Sequence, residues 1–302
     1  MNLMNMTRVF WILLLMLPGS LTGCKTPIKS TAKLKLIGGE EISEDRWPSV
    51  RKLKVFNKEP SGAFSLKSEC TMTFIKPNLA LTAAHCLCRG HRFVYAEKER
   101  WDDFLVTKHV LHPEYRCDTK YPNAFDVGLV WFDEKVAMTV SKIIRPESSE
   151  NLSRLRMIGY GKDILKITGS FWLGTRKPTT ESSKPSPRKR DAEFDGKRMG
   201  EVSWLGEQPE DPGFIRLSAV FDVTTEIREP MSEAASAEGD SGGPALTLEN
   251  NEILGIISRG RFSFTGIGSE KVAVVTELID LRRTDIRNFL KDQGALDKET
   301  TQ

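Results

Sequence analysis

The stretch Gly239-Asp240-Ser241-Gly242-Gly243-Pro244 sets one hydroxyl among glycines beside an acid. A serine hydroxyl is a poor nucleophile until a base removes its proton. The glycines around Ser241 let the backbone turn sharply, so that its N–H groups can face a developing oxyanion. A second stretch, Leu81-Thr82-Ala83-Ala84-His85-Cys86, carries the side chain suited to act as that base near neutral pH. A carboxylate must then hold the imidazole in one tautomer. Each piece alone is only suggestive; the order His, Asp, Ser gives them a joint meaning.

Outward from these stretches, short apolar runs alternate with turn residues from Ile37 onward. Thr71–Cys86, Asp126–Phe132, Arg154–Gly161, Pro244–Leu248 and Glu252–Ser258 all read as β-type segments. Many short strands separated by Gly, Pro and Asn indicate an all-β sandwich or barrel. The end of the chain departs from this texture. Ile286, Phe289 and Leu290 fall on one helical face, with Thr284 as a candidate N-cap and Gly294 as a candidate stop. Residues Gly174 to Gly200 are poor in apolar side chains and rich in Pro, Ser, Lys and Arg. This segment reads as a long mobile insertion, either solvated or a basic patch for an acidic partner. No internal repeat is present.

The 302 residues are ample for a core, and a net charge of +3 is too small to suggest a nucleic-acid partner. Before Cys24, Arg8 precedes an apolar run from Val9 to Leu17. A membrane-crossing helix needs about 20 apolar residues, so the run fits a secretory signal peptide over residues 1–23. Leu21-Thr22-Gly23-Cys24 resembles the lipobox of bacterial lipoproteins, whose peptide is cut before a Cys that then carries fatty chains. The other reading is a plain signal peptide with an incidental Cys. Several acyl chains would anchor the protein stably at the membrane. Residues 24–36 then form a polar, basic tether. Of the five cysteines, lipidation of Cys24 leaves Cys70, Cys86, Cys88 and Cys117 in an exported, oxidising setting.

Taken together, the two opening stretches resemble the trypsin/chymotrypsin-like serine proteases, and the likeness runs from Ile37 to the C-terminal helix. It implies a fold of two six-stranded antiparallel β-barrels with a C-terminal α-helix, in a protease domain over residues 37–302. It implies His85 as general base, Ser241 as nucleophile, and the N–H groups of Gly239 and Ser241 as the oxyanion hole. Asp126, just before an apolar strand, matches the family's Asp; Asp102, Asp103, Asp118 and Asp133 lack that context. Phe125 stands where the family often has Asn. Cys70 and Cys86 match a family disulfide, and Cys88 with Cys117 would form a second near the cleft, two free thiols being the alternative. Ala237 replaces the first Cys of the bridge that commonly braces the specificity pocket. No metal or organic cofactor is implied, and His91, His109 and His112 lack metal-ligand spacing.

The resemblance puts Ala235 at the base of the pocket, Glu238 at its mouth, and Ser258 and Gly260 on its far wall. A substrate cation facing Ala235 would be desolvated without a partner, so an apolar residue before the scissile bond is expected. Arg259, where the family has an aromatic residue, either reaches toward an acidic substrate or points to solvent. Ile37-Gly38-Gly39 and Asp240 match the two halves of the family's activation pair, in which a freed amine meets the buried Asp. The productive cut is Leu36–Ile37, after a residue that an Ala235 pocket accepts. Alternatively, Ile37 begins an ordinary strand and the chain works uncut. The expected protein is a monomeric exported endopeptidase of the bacterial cell envelope, anchored by lipid on Cys24, released on activation and acting on proteins or peptides. A catalytically silent homologue that binds partners is the alternative of another class, and a surface adhesin acting through residues 174–200 is a third.

Overall fold

The computed structural model describes residues 39–88, 90, 92–95, 104–133, 136, 139–148, 150–161, 196–207, 213–222, 234–264 and 271–297. The chain divides into the units Met1–Thr31 and Ala32–Gln302. The expected signal peptide, Cys24, the tether, the cut bond and Ile37 all lie outside the described residues, as do positions 174–195 of the insertion.

The described chain opens on a short strand, β1 (Glu40–Ile42), and then builds a closed barrel. Its members are β2 (Val50–Lys58), β3 (Phe64–Lys76), β4 (Leu79–Thr82), β5 (Arg92–Tyr95), β6 (Phe104–Leu111) and β7 (Gly128–Phe132). They close in the order β2-β3-β4-β7-β6-β5, each pairing antiparallel. Closure removes the edges that a free sheet would expose. Leu79-Ala80-Leu81-Thr82 are all buried, because β4 has the barrel interior on one face and the second half of the chain on the other. Leu53, Val55, Met72, Phe74, Val130 and Phe132 fill the interior. A turn of helix, α1 (Ala84–Leu87), follows β4 directly.

The second half comprises β8 (Arg154–Gly159), β9 (Lys197–Glu207), β10 (Phe214–Asp222), β11 (Pro244–Thr247), β12 (Ile253–Phe264) and β13 (Lys271–Asp280). With β1 they form a seven-stranded sheet in the order β1-β9-β10-β13-β12-β11-β8, curled so far that β8 also pairs with β9. Leu155, Met157, Val202, Ile215, Leu217, Leu254 and Leu278 pack inside it. A third cluster lies between the two halves and includes Leu81, Leu129, Ile158, Tyr160 and Ile256. The C-terminal helix, α2 (Thr284–Asp292), adds Ile286, Phe289 and Leu290 to that cluster. Burial of each such side chain is worth about 2 kcal/mol, so α2 ties the halves together.

The expected all-β, two-barrel fold with its C-terminal helix is therefore present, and two local expectations need correction. Thr284 is the first helical residue rather than the cap. Arg283 holds the cap position without a side-chain cap bond, and Asp285 Oδ1 accepts the Ile286 N–H at 2.8 Å instead. Gly294, at φ +68°, does end the helix. The second correction concerns the basic segment. Its last residues, Lys197 to Gly200, open β9 rather than a loop, and Lys197 and Arg198 are buried. Lys197 Nζ donates to the carbonyls of Glu44, Arg46 and Trp47 at 2.9, 3.0 and 3.1 Å. Arg198 donates to the carbonyl of Gly39. Backbone oxygens thus replace the water that a charged residue would otherwise demand.

Candidate active site

The stretches Gly239–Pro244 and Leu81–Cys86 are in contact. Gly242, at φ +84°, has no room for a side chain: a Cβ would sit 2.2 Å from Thr82 Oγ1, 2.3 Å from Thr71 O and 2.8 Å from Ala83 N. The turn after Ser241 therefore lies flush against the end of β4, where α1 begins. Ala83 and Ala84 are fully buried at that joint. Small residues on both sides let the loop carrying Ser241 and the helix carrying His85 approach.

His85 Nδ1 lies 2.7 Å from Asp126 Oδ2, and the His85 backbone N–H donates to Asp126 Oδ1, also at 2.7 Å. Asp126 is wholly buried, whereas the His85 side chain keeps 28% of its surface. The Ser258 hydroxyl donates to Asp126 Oδ2 at 2.6 Å. Three donors thus fix the buried carboxylate in place. Burial works to lower the His85 pKa. The Asp126 charge and its hydrogen bond outweigh burial, so the imidazole titrates above its ordinary 6.5. Asp126 is placed by a turn in which Asn123 Oδ1 accepts the Phe125 N–H at 3.0 Å. Phe125 is itself wedged between the His112 ring, 4.8 Å away, and the Arg283 guanidinium, 5.1 Å away. That packing accounts for an apolar residue before Asp126.

Ser241 is seated by its backbone. Its carbonyl accepts the Thr71 N–H at 2.8 Å and lies 3.8 Å from Cys86 Sγ. Cys86 is bonded to Cys70, and Cys88 to Cys117, the pairings that the resemblance implied. Among the described residues no hydrogen bond joins Ser241 Oγ to His85. Gly239 is at φ +104°, and a Cβ there would stand 3.0 Å from Gly161 Cα and from Tyr160 O. The buried Asp240 carboxylate accepts the Gly161 N–H at 2.7 Å and the Ala237 N–H at 2.8 Å. Its relation to Ile37 falls outside the described residues.

Of the expected pocket residues, Ala235 is fully buried and Glu238 is exposed. Ser258 turns its hydroxyl to Asp126 rather than to the pocket, because the buried carboxylate requires donors. Gly260 faces Ser236: a Cβ on Gly260 would lie 3.5 Å from Ser236 Oγ. Ser236 N and Oγ both meet Thr276 Oγ1 at 3.0 Å. Sequence reasoning missed Ser236 and Thr276, and nothing in the run Val272 to Asp280 marks Thr276 as different from any strand threonine. Arg259 takes neither of its expected courses. Its Nε donates to buried Glu277, its Nη1 donates to Pro122 O at 2.6 Å, and it lies over the Phe214 ring at 4.1 Å. Among the described residues, the one cluster of His, Cys and carboxylate atoms close enough to share a metal is Cys70, His85 and Cys86. Its two sulfurs are bonded to each other, so it offers no chelating thiolates.

Residues 36–177 match the family model described as Trypsin, a span that includes His85 and Asp126 but ends before Ser241. Among solved structures, HL collagenase is similar over 85% of this chain and 98% of its own, with a TM-score of 0.56 at 13% identity. Neuropsin, a serine protease expressed in the limbic system of mouse brain, gives a TM-score of 0.51 at 14% identity, over 85% of this chain and 98% of its own. Together these matches identify the architecture as the chymotrypsin-like fold. No curated protein matches the chain by sequence.

Proposed function

We propose that the protein is a serine endopeptidase in which Ser241 attacks the scissile carbonyl, His85 takes its proton and Asp126 orients the imidazole. The observation that carries this reading is the buried Asp126 carboxylate on His85 Nδ1, beside a glycine-lined turn that presents Ser241. The tautomer with the proton on Nδ1 leaves Nε2 as the base. Attack gives a tetrahedral oxyanion, for which the N–H groups of Gly239 and Ser241 are the candidate donors. Collapse releases the amine, which takes the proton from His85; water then hydrolyses the acyl-enzyme by the same route. A fluorophosphonate probe tests the assignment. Labelling at Ser241, lost in Ser241→Ala, supports it; silence after verified cleavage at Leu36–Ile37 supports a binding protein instead.

The substrates in this reading are proteins or peptides with an apolar residue before the scissile bond. Buried Ala235 offers no charge to a basic side chain, and Ser236 and Thr276 satisfy each other. The protein is made as a zymogen, exported, and held at a bacterial envelope by lipid on Cys24. Cleavage at Leu36–Ile37 frees an amine for Asp240 and separates the domain from its anchor. A pocket that accepts Leu makes cleavage between neighbouring molecules the simplest route. N-terminal sequencing of the mature protein, with mass spectrometry for lipid on Cys24, tests both claims.

A further inference from the structure

Thr71 is wholly buried where the two barrels meet, and each of its polar groups is spent on the Ser241 loop or its support. Its N–H donates to Ser241 O at 2.8 Å, and its carbonyl accepts from Thr82 Oγ1 at 2.8 Å. The hydroxyl does more. It donates to Gly239 O at 2.9 Å and accepts the Tyr160 N–H at 3.1 Å. The peptide between Gly239 and Asp240 is therefore held at both ends, because the Asp240 N–H donates to Ala237 O at 3.1 Å. Gly239, at φ +104°, is the hinge between that fixed plane and the plane carrying its own N–H. A glycine hinge turns freely unless its neighbours are pinned.

Thr71 and Asp240 share this task. Asp240 ties residue 161 to residue 237 through its carboxylate, while Thr71 ties residue 160 to residue 239 through its hydroxyl. The first link is the one that a freed N-terminal amine would reinforce. The second is complete without any cleavage.

We propose that the Thr71 hydroxyl is a positioning group that holds the Gly239 N–H toward the oxyanion, independently of N-terminal processing. The inference rests on the peptidase reading above. Its consequence is that the uncut chain keeps a partly ordered oxyanion hole and hence basal activity, enough to begin cleavage between neighbours.

Thr71→Val removes the hydroxyl at nearly constant volume, and Thr71→Ser restores it without the methyl. In Thr71→Val, kcat for a peptide ester should fall roughly 10- to 100-fold with KM little changed, since a donor is displaced rather than lost. A peptide boronate, which mimics the tetrahedral state, should weaken by a similar factor, and Thr71→Ser should recover most of both. An unchanged kcat in a folded Thr71→Val enzyme, or equal losses in the Val and Ser variants, overturns the proposal. Amide hydrogen exchange gives a readout independent of activity. Exchange across residues 157–161 and 237–243 should quicken in Thr71→Val and not in Thr71→Ser. Unaltered exchange there overturns the proposal even if the wild type hydrolyses nothing, whereas absent hydrolysis with altered exchange counts against the peptidase reading alone.

Discussion

Ser258 donates its hydroxyl to Asp126 Oδ2, the same oxygen that faces His85 Nδ1. One carboxylate oxygen thus joins the wall of the cleft to the candidate base. Asp126→Asn would leave the packing intact but present an amide where the imidazole needs an acceptor. By the precedent of the serine-protease triad, kcat should drop by about 10⁴. Ser258→Ala removes one of three donors, so a loss of about tenfold is expected. Steady-state kinetics on one peptide substrate ranks the two variants, and a larger loss in Ser258→Ala than in Asp126→Asn contradicts this ordering.

In the proposed mechanism the raised His85 pKa sets the acid limb of activity. Burial opposes the imidazolium, and the Asp126 charge more than compensates. The base is competent only when neutral, so kcat/KM should rise with pH through a midpoint above 6.5. The same shift means that His85–Asp126 stabilises the fold fully below the unfolded imidazole pKa, and that this contribution is lost as pH rises through the folded pKa. A midpoint below 6.5 would show that burial of the imidazole outweighs the pull of Asp126.

In the proposed pocket, Ala235 governs the choice of substrate. Peptides with Leu before the scissile bond should be cut at least tenfold better than peptides with Arg, because a cation over Ala235 is desolvated without a partner. Ala235→Asp should narrow or reverse that ratio by supplying a carboxylate. A library of peptides varied only at this residue measures both, and a strong preference for Arg in the wild type refutes the pocket assignment.

How much of this was legible in the sequence depends on the range of the interaction. The stretches around Ser241 and His85 are local, and their glycines and alanines announce the tight turns that seat them. Asp126 needed the apolar strand after it as a signpost. Thr71, Ser236, Thr276 and Glu277 were not legible, because each acts through a partner at least 18 residues away in the chain. Lys197 and Arg198 were misread for a related reason. Their composition matches the basic segment before them, and only the folded chain brings Lys197 to the carbonyls of Glu44, Arg46 and Trp47 and Arg198 to that of Gly39.

Lys197 bears on stability as well. Its ammonium is fully buried and bonded to three carbonyls of the segment that follows β1. Burial brings its pKa down to about 8, against the pull of Glu44. Lys197→Met keeps the aliphatic stem but strands those carbonyls, so the fold should lose about 2 kcal/mol or more. The pH dependence discriminates further. Between pH 8 and the unfolded value of 10.5, the unfolded chain binds a proton that the native Lys197 has shed, so wild-type stability should gain with rising pH in that window. Lys197→Met has no such group, and the gap between the two proteins in urea unfolding should widen from pH 8 to pH 10. A constant gap would mean that Lys197 stays charged in the native fold, with the three carbonyls and Glu44 fully offsetting its burial.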